Sequence, residues 1–119
     1  MAAAPYDLLI EQGTDYDRVL TLHSQAEGRP PLDLTGCQVR AQIRPHHGPD
    51  AGLLHDLATA GGLTITDPAN GKVTLSIPGS VSALWAWRTA VWDLEVVDSG
   101  GKPLRLLKGA VRVDPEVTR

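Results

Sequence analysis

The stretch VWDLEVVDSGGKPLRLLKGAVRV, residues 91–113, constrains the fold of this chain more than any other. It reads as two strands joined by a three-residue loop, Ser99 to Gly101, with glycine available for the left-handed position that such a connection needs. The loop sets Asp98 opposite Lys102, and the next pairs match in character: Val96 with Leu104, Glu95 with Arg105, Leu94 with Leu106. Opposed side chains of this kind stabilise an antiparallel ladder by roughly 0.2–1 kcal/mol per pair. The parity then changes. Leu104 and Leu106 share one face while Leu107, Gly109, Val111 and Val113 share the other, which requires a bulge near Leu106 and Leu107. Beyond it Asp93 faces Lys108, and Trp92 covers Gly109, where the missing side chain leaves room for an indole.

The same period of two recurs along the chain. In CQVRAQIR, Cys37, Val39, Ala41 and Ile43 point one way and Gln38, Arg40, Gln42 and Arg44 the other, giving one apolar and one wet face. Val73, Leu75 and Ile77 of KVTLSI, preceded by Leu63 and Ile65 and the turn DPANG, predict a second hairpin. YDLLIEQG and DRVLTLH are shorter strands separated by Gly13. Only PGSVSALW interrupts the pattern, where Ser80 can cap one helical turn running toward Trp85. Short strands with regular turn signals predict an all-β fold: a single antiparallel β-sandwich, of Ig-like or open-barrel character, over residues 1–119, with at most one short helical turn.

Composition narrows the function classes. A chain of 119 residues suits one domain that buries about two thirds of its unfolded surface. Its net charge of −3 lacks the basic footprint that phosphate backbones attract, so no nucleic-acid partner is expected. Apolar runs of a few residues fall well short of the roughly 20 needed to cross a bilayer, and MAAAPYDLL has no signal-peptide pattern, so the expectation is a soluble protein made in the cytoplasm, with no membrane partner. The single cysteine, Cys37, excludes an internal disulfide and is expected to be a buried thiol among core residues.

Chemistry-bearing clusters are few. His46, His47 and His55, with Asp50 and Asp56 nearby, are the residues that could ligate a transition metal. Adjacent histidines on an extended, proline- and glycine-rich segment point apart, so no metal and no cofactor is expected. Asp93 and Glu95 form a carboxylate pair of the kind glycosidases use, but Lys108 and Arg105 opposite them predict a charge ladder on the wet face. No set of acid, base and nucleophile can be assembled, so no catalytic residue is expected and the chain is read as a non-enzyme. Trp92 shares the parity of Ala90, Leu94 and Val96 and belongs to the core. Trp85 and Trp87 remain as a candidate contact surface for a protein, or as a stacking platform for a sugar. Coplanar exposed rings would favour the sugar; packed rings would favour the protein contact.

The order of DLTG at Asp33–Gly36, then AQIRP, GKVTLSIP and WDLEVVDSGGKPLRLLKGAVRVDPEVTR resembles small bacteriophage and prophage tail proteins, and through them the N-terminal β-sandwich domain of baseplate upper proteins. The likeness runs from about Gly13 to the last residue and consists of strand and turn positions. The resemblance implies a virion structural or assembly component, made in a bacterial host and located in the phage tail, whose partners are other tail or baseplate proteins and include copies of itself. A small carbohydrate-binding module for host attachment is the alternative. The residues expected at the protein interface are Trp85 and Trp87 with the terminal Pro115, Glu116 and Arg119, where Pro115 stops the last strand and a neighbour is needed to order the residues after it.

Overall fold

Alternation along the central hairpin builds the middle of the larger sheet in the computed structural model, which describes residues 3–24 and 30–118. The elements in chain order are β1 Ala4–Pro5, β2 Leu8–Glu11, β3 Tyr16–Thr21, β4 Gln38–Arg44, β5 His55–Asp56, β6 Leu63–Asp67, β7 Lys72–Ile77, α1 Gly79–Ser82, β8 Thr89–Val97 and β9 Pro103–Asp114, with a 3-10 turn at Pro68–Asn70 between β6 and β7. One sheet runs β1-β9-β8-β4-β5, with β2 also paired to β9; the other runs β3-β7-β6. The two face each other over one apolar core, so the molecule is an all-β sandwich. The helical turn is where the sequence places it, and the 3-10 turn is an addition. Ser80 does not cap α1: Pro78 holds the cap position, and the Gly79 amide donates instead to Asp15 Oδ1 at 2.8 Å.

The β8–β9 register follows the expected one closely. Val96 opposes Leu104, Glu95 opposes Arg105, Asp93 opposes Lys108 and Trp92 opposes Gly109. One pair differs, because Leu94 meets Leu107 and Leu106 is the extra residue of the bulge. The physical reason is burial: the extra residue lets both Leu106 and Leu107 turn inward, where each stays under a tenth exposed. The loop is also as read, with Gly101 at φ 83 and the Asp98 amide donating to the Lys102 carbonyl at 3.0 Å.

The N-terminal segment departs from the antiparallel expectation. It forms two short strands instead of one, and both run parallel to β9, with Ala4 beside Leu107 and Leu8 beside Val111. Tyr6 and Asp7 break it. The Asp7 carboxylate accepts from the Ala110 amide at 2.9 Å, taking the place of a strand carbonyl, and the Tyr6 carbonyl turns over Gly109. There it accepts the Trp92 indole N–H at 2.7 Å. A Cβ on Gly109 would collide with that carbonyl, so the glycine makes room for a backbone group to which the indole is bonded.

The core draws Leu8, Ile10, Ile43, Leu94 and Val111 from one sheet and Tyr16, Leu20, Val73, Leu75 and Ile77 from the other. Each aliphatic side chain buried this way contributes about 1.5–3 kcal/mol. Ala41 and Ile43 are buried as expected, but Cys37 is only half-buried, because β4 starts one residue later and leaves it at the rim.

Candidate contact surface

The turn between β2 and β3 carries the chain from one sheet to the other, and Gln12 in it joins three segments far apart in sequence. Its backbone amide donates to the Asp114 carbonyl at 2.9 Å, extending the β2–β9 ladder by one rung. Its side-chain oxygen accepts from the Glu116 amide at 2.9 Å, and its side-chain nitrogen donates to the Trp85 carbonyl at 3.0 Å. Gly13, at φ 85, leaves space that the Glu116 carboxylate fills, and its amide donates to the Ser82 hydroxyl at 3.0 Å. Ser82 is fully buried.

This junction corrects the expectation that a neighbour must order the chain end. Through Glu116 the terminal segment is tied to its own fold, since the Gln12 carboxamide satisfies a backbone donor that would otherwise face water. Of the residues expected at the interface, Trp85, Pro115 and Glu116 therefore converge, and Trp87 is joined to them through Trp85. Arg119 lies outside the described residues. Two residues to which the sequence pattern assigned no role flank the junction: Leu84 is 85% exposed and Val117 is 90% exposed. The Gln12 side chain bonds the residue after Leu84 and the residue before Val117, so both are chain neighbours of the junction. Leu84 was legible as an apolar residue beside the tryptophans. Gln12 carried no signal, because its role is set by which strands adjoin.

Trp85 and Trp87 stack on each other, with ring centres 4.7 Å apart and planes 29° from parallel, and both are half-buried against the core. The His55 ring meets Trp85 edge-on at 5.4 Å. Among the described residues His55 Nε2 is a buried polar atom with no hydrogen-bond partner. Burial holds this imidazole below the ordinary histidine range, against the opposing pull of the Asp56 carboxylate. The unfolded chain therefore binds the proton more readily than the folded one. The stability contributed by the neutral ring is complete above the unfolded value of about 6.5 and is lost as the pH falls through the interval below it. Acidification from about pH 7.5 to about pH 5.5 should lower the unfolding temperature more in the native chain than in a His55→Phe variant, read by calorimetry.

The remaining histidines lie elsewhere. His46 and His47 are exposed in the loop after β4, and His46 Nδ1 accepts from the Gly48 amide at 3.0 Å. Among the described residues no three metal-ligating side chains come together.

The carboxylate pair sits in a groove of about 480 Å³ on the outer face of β4, β8 and β9, among Arg40, Arg105, Lys108 and His47. The backbone register opposite these acids is the expected one, but their charge partners are not. Glu95 pairs with Arg40 at 2.7 Å, across on β4, and the guanidinium nearest Asp93 is that of Arg105, at 3.8 Å on the diagonal. Arg40 stands directly opposite Glu95 in the β4–β8 ladder, a neighbour that the hairpin sequence alone does not reveal. Burial, and then the adjacent Glu95 charge, push the Asp93 carboxyl above its usual range. The result is a row of acids between two rows of cations.

Compared with known proteins, the chain matches no family model and no curated sequence.

Proposed function

We propose that this chain is a structural component of a phage or prophage tail or baseplate, working through ordered contacts with neighbouring tail proteins. The observation that carries the reading is the Gln12 junction, whose chain neighbours Leu84 and Val117 are almost fully exposed. Large apolar side chains left exposed next to a hydrogen-bonded junction are the chemistry of a protein contact, where desolvated anchors cost about 2 kcal/mol or more each when truncated. The order of strand and turn segments from Asp33 to the chain end, which resembles that of tail proteins, adds to this. A sugar platform is disfavoured by the tryptophans themselves: the rings are stacked on each other and half-buried against the core, where a platform needs them coplanar and exposed.

The test is the double variant Leu84→Asp and Val117→Asp in the phage or prophage that encodes the chain. Both side chains are exposed, so the purified variant should unfold at the native temperature while assembled tails fall at least tenfold in electron-microscopic counts. Normal tails with normal infectivity would reject the interface. A variant that assembles but no longer binds a defined host glycan would move the reading to the carbohydrate module. Genes for a tail tube, tape measure or fibre beside this one would support the same class.

A further inference from the structure

The free edge of β3 has the pattern of a self-pairing strand. The Leu22 amide points toward β7, donating to the Gly71 carbonyl at 2.8 Å. Amides alternate along a strand, so the backbone groups of Leu20, Arg18 and Tyr16 also face β7 and those of Asp17, Val19 and Thr21 face outward. The Asp17 carbonyl agrees with this, since it accepts from the Arg18 guanidinium at 2.8 Å and not from β7. At the centre of this edge Val19 is 64% exposed, an apolar β-branched side chain on a row that solvent would otherwise leave polar. The other edges are less suited to pairing. β6 is broken by a register shift between Ile65 and Asp67, β5 has two residues, and β1 and β2 have two and four.

We propose that a second copy of this chain adds antiparallel to β3 across a two-fold axis at Val19, making one continuous sheet from the two β3-β7-β6 sheets. The axis sets Val19 against its mate, and it sets Asp17 against Thr21 of the other copy. The side chains are already arranged for that register. Within one copy the Lys72 ammonium donates to Thr21 Oγ1 at 2.9 Å, which leaves the threonine hydroxyl proton free to donate outward. The Ser76 hydroxyl donates to one Asp17 oxygen, and the other oxygen is available at the edge. Pairing joins these halves into a row running Lys72, Thr21, Asp17, Ser76 from copy to copy, twice over by symmetry. The Thr21 amide of the second copy replaces the Arg18 guanidinium on the Asp17 carbonyl.

Self-pairing at β3 is a property of the isolated chain and is independent of the tail reading. Sedimentation over a concentration series up to about 1 mM should show the weight-average mass rising toward twice the 12.7 kDa chain mass. Val19→Lys, which opposes two ammonium groups at the axis, should abolish that rise with an unchanged circular dichroism spectrum. In a Cys37→Ser background, Val19→Cys should give a covalent dimer that a reductant reverses, while Thr64→Cys on the β6 edge should not. A native chain that stays monomeric throughout, or an association that survives Val19→Lys, would overturn the proposal. So would equal cross-linking at the two edges, or pairing of β3 only with a different protein.

Discussion

Trp92→Ala should destabilise the protein by about 3–5 kcal/mol, a third or more of the stability that a domain of this size commonly has. The indole is 3% exposed, packs edge-on against Tyr6 at 6.4 Å between ring centres, and donates to the Tyr6 carbonyl. Truncation removes the transfer free energy of the ring, opens a cavity between two sheets that cannot collapse independently, and orphans a carbonyl inside the fold. Trp92→Phe separates these effects. It keeps most of the apolar volume and loses the donor, so it should cost about 1–3 kcal/mol. Urea unfolding followed by tryptophan-independent circular dichroism reads both, and equal costs for the two variants would show that packing contributes little.

Gly109→Ala is the smaller chemical change with a comparable result. In an ordinary strand alanine is favoured over glycine by roughly 0.5–1 kcal/mol, so the intrinsic preference alone would make this variant more stable. Here the added methyl meets the Tyr6 carbonyl and the Asp7 carboxylate. To admit it, three hydrogen bonds must lengthen or break: Tyr6 amide to Lys108 carbonyl, Ala110 amide to Asp7, and Trp92 indole to Tyr6 carbonyl. At about 0.5–1.5 kcal/mol each, their loss outweighs the gain, and the variant should be less stable by about 0.5–4 kcal/mol. Amide exchange should locate the damage, with Tyr6 to Ile10 exchanging faster while the β8 amides stay protected. An unfolding midpoint at or above that of the native chain would show that Tyr6 yields without cost.

The strands were legible in the sequence wherever one face is apolar and the other wet, as in Gln38–Arg44, Lys72–Ile77 and the Thr89–Asp114 hairpin. Even the bulge could be read there, because burying both Leu106 and Leu107 requires a change of parity. Adjacency between strands that no short turn connects could not be read. The ion pair of Arg40 with Glu95 and the pairing of β2 with β9 depend on which elements lie side by side, and local pattern carries no record of that. The candidate surface divides the same way. Trp85 and Trp87 stood out as aromatics near a turn, whereas Gln12 matters only because the fold brings the Trp85 carbonyl and the Glu116 amide to its carboxamide.

The parallel pairing of β1 and β2 with β9 also sets an order of events in folding. Asp7 and the Ala110 amide it holds are 103 residues apart. Loops of that length close slowly, and their closure entropy must be met before any contact repays it. During synthesis β1 and β2 have no partner until β9 has left the ribosome, so Leu8 and Ile10 remain solvent-accessible while the residues between them and β9 are made. The β3-β7-β6 sheet and the β4-β8 ladder can form earlier, since all their strands precede β9. The last step of folding is then the docking of β1 and β2 onto β9, and a chaperone that shields apolar segments would act on residues 4–11 during that interval.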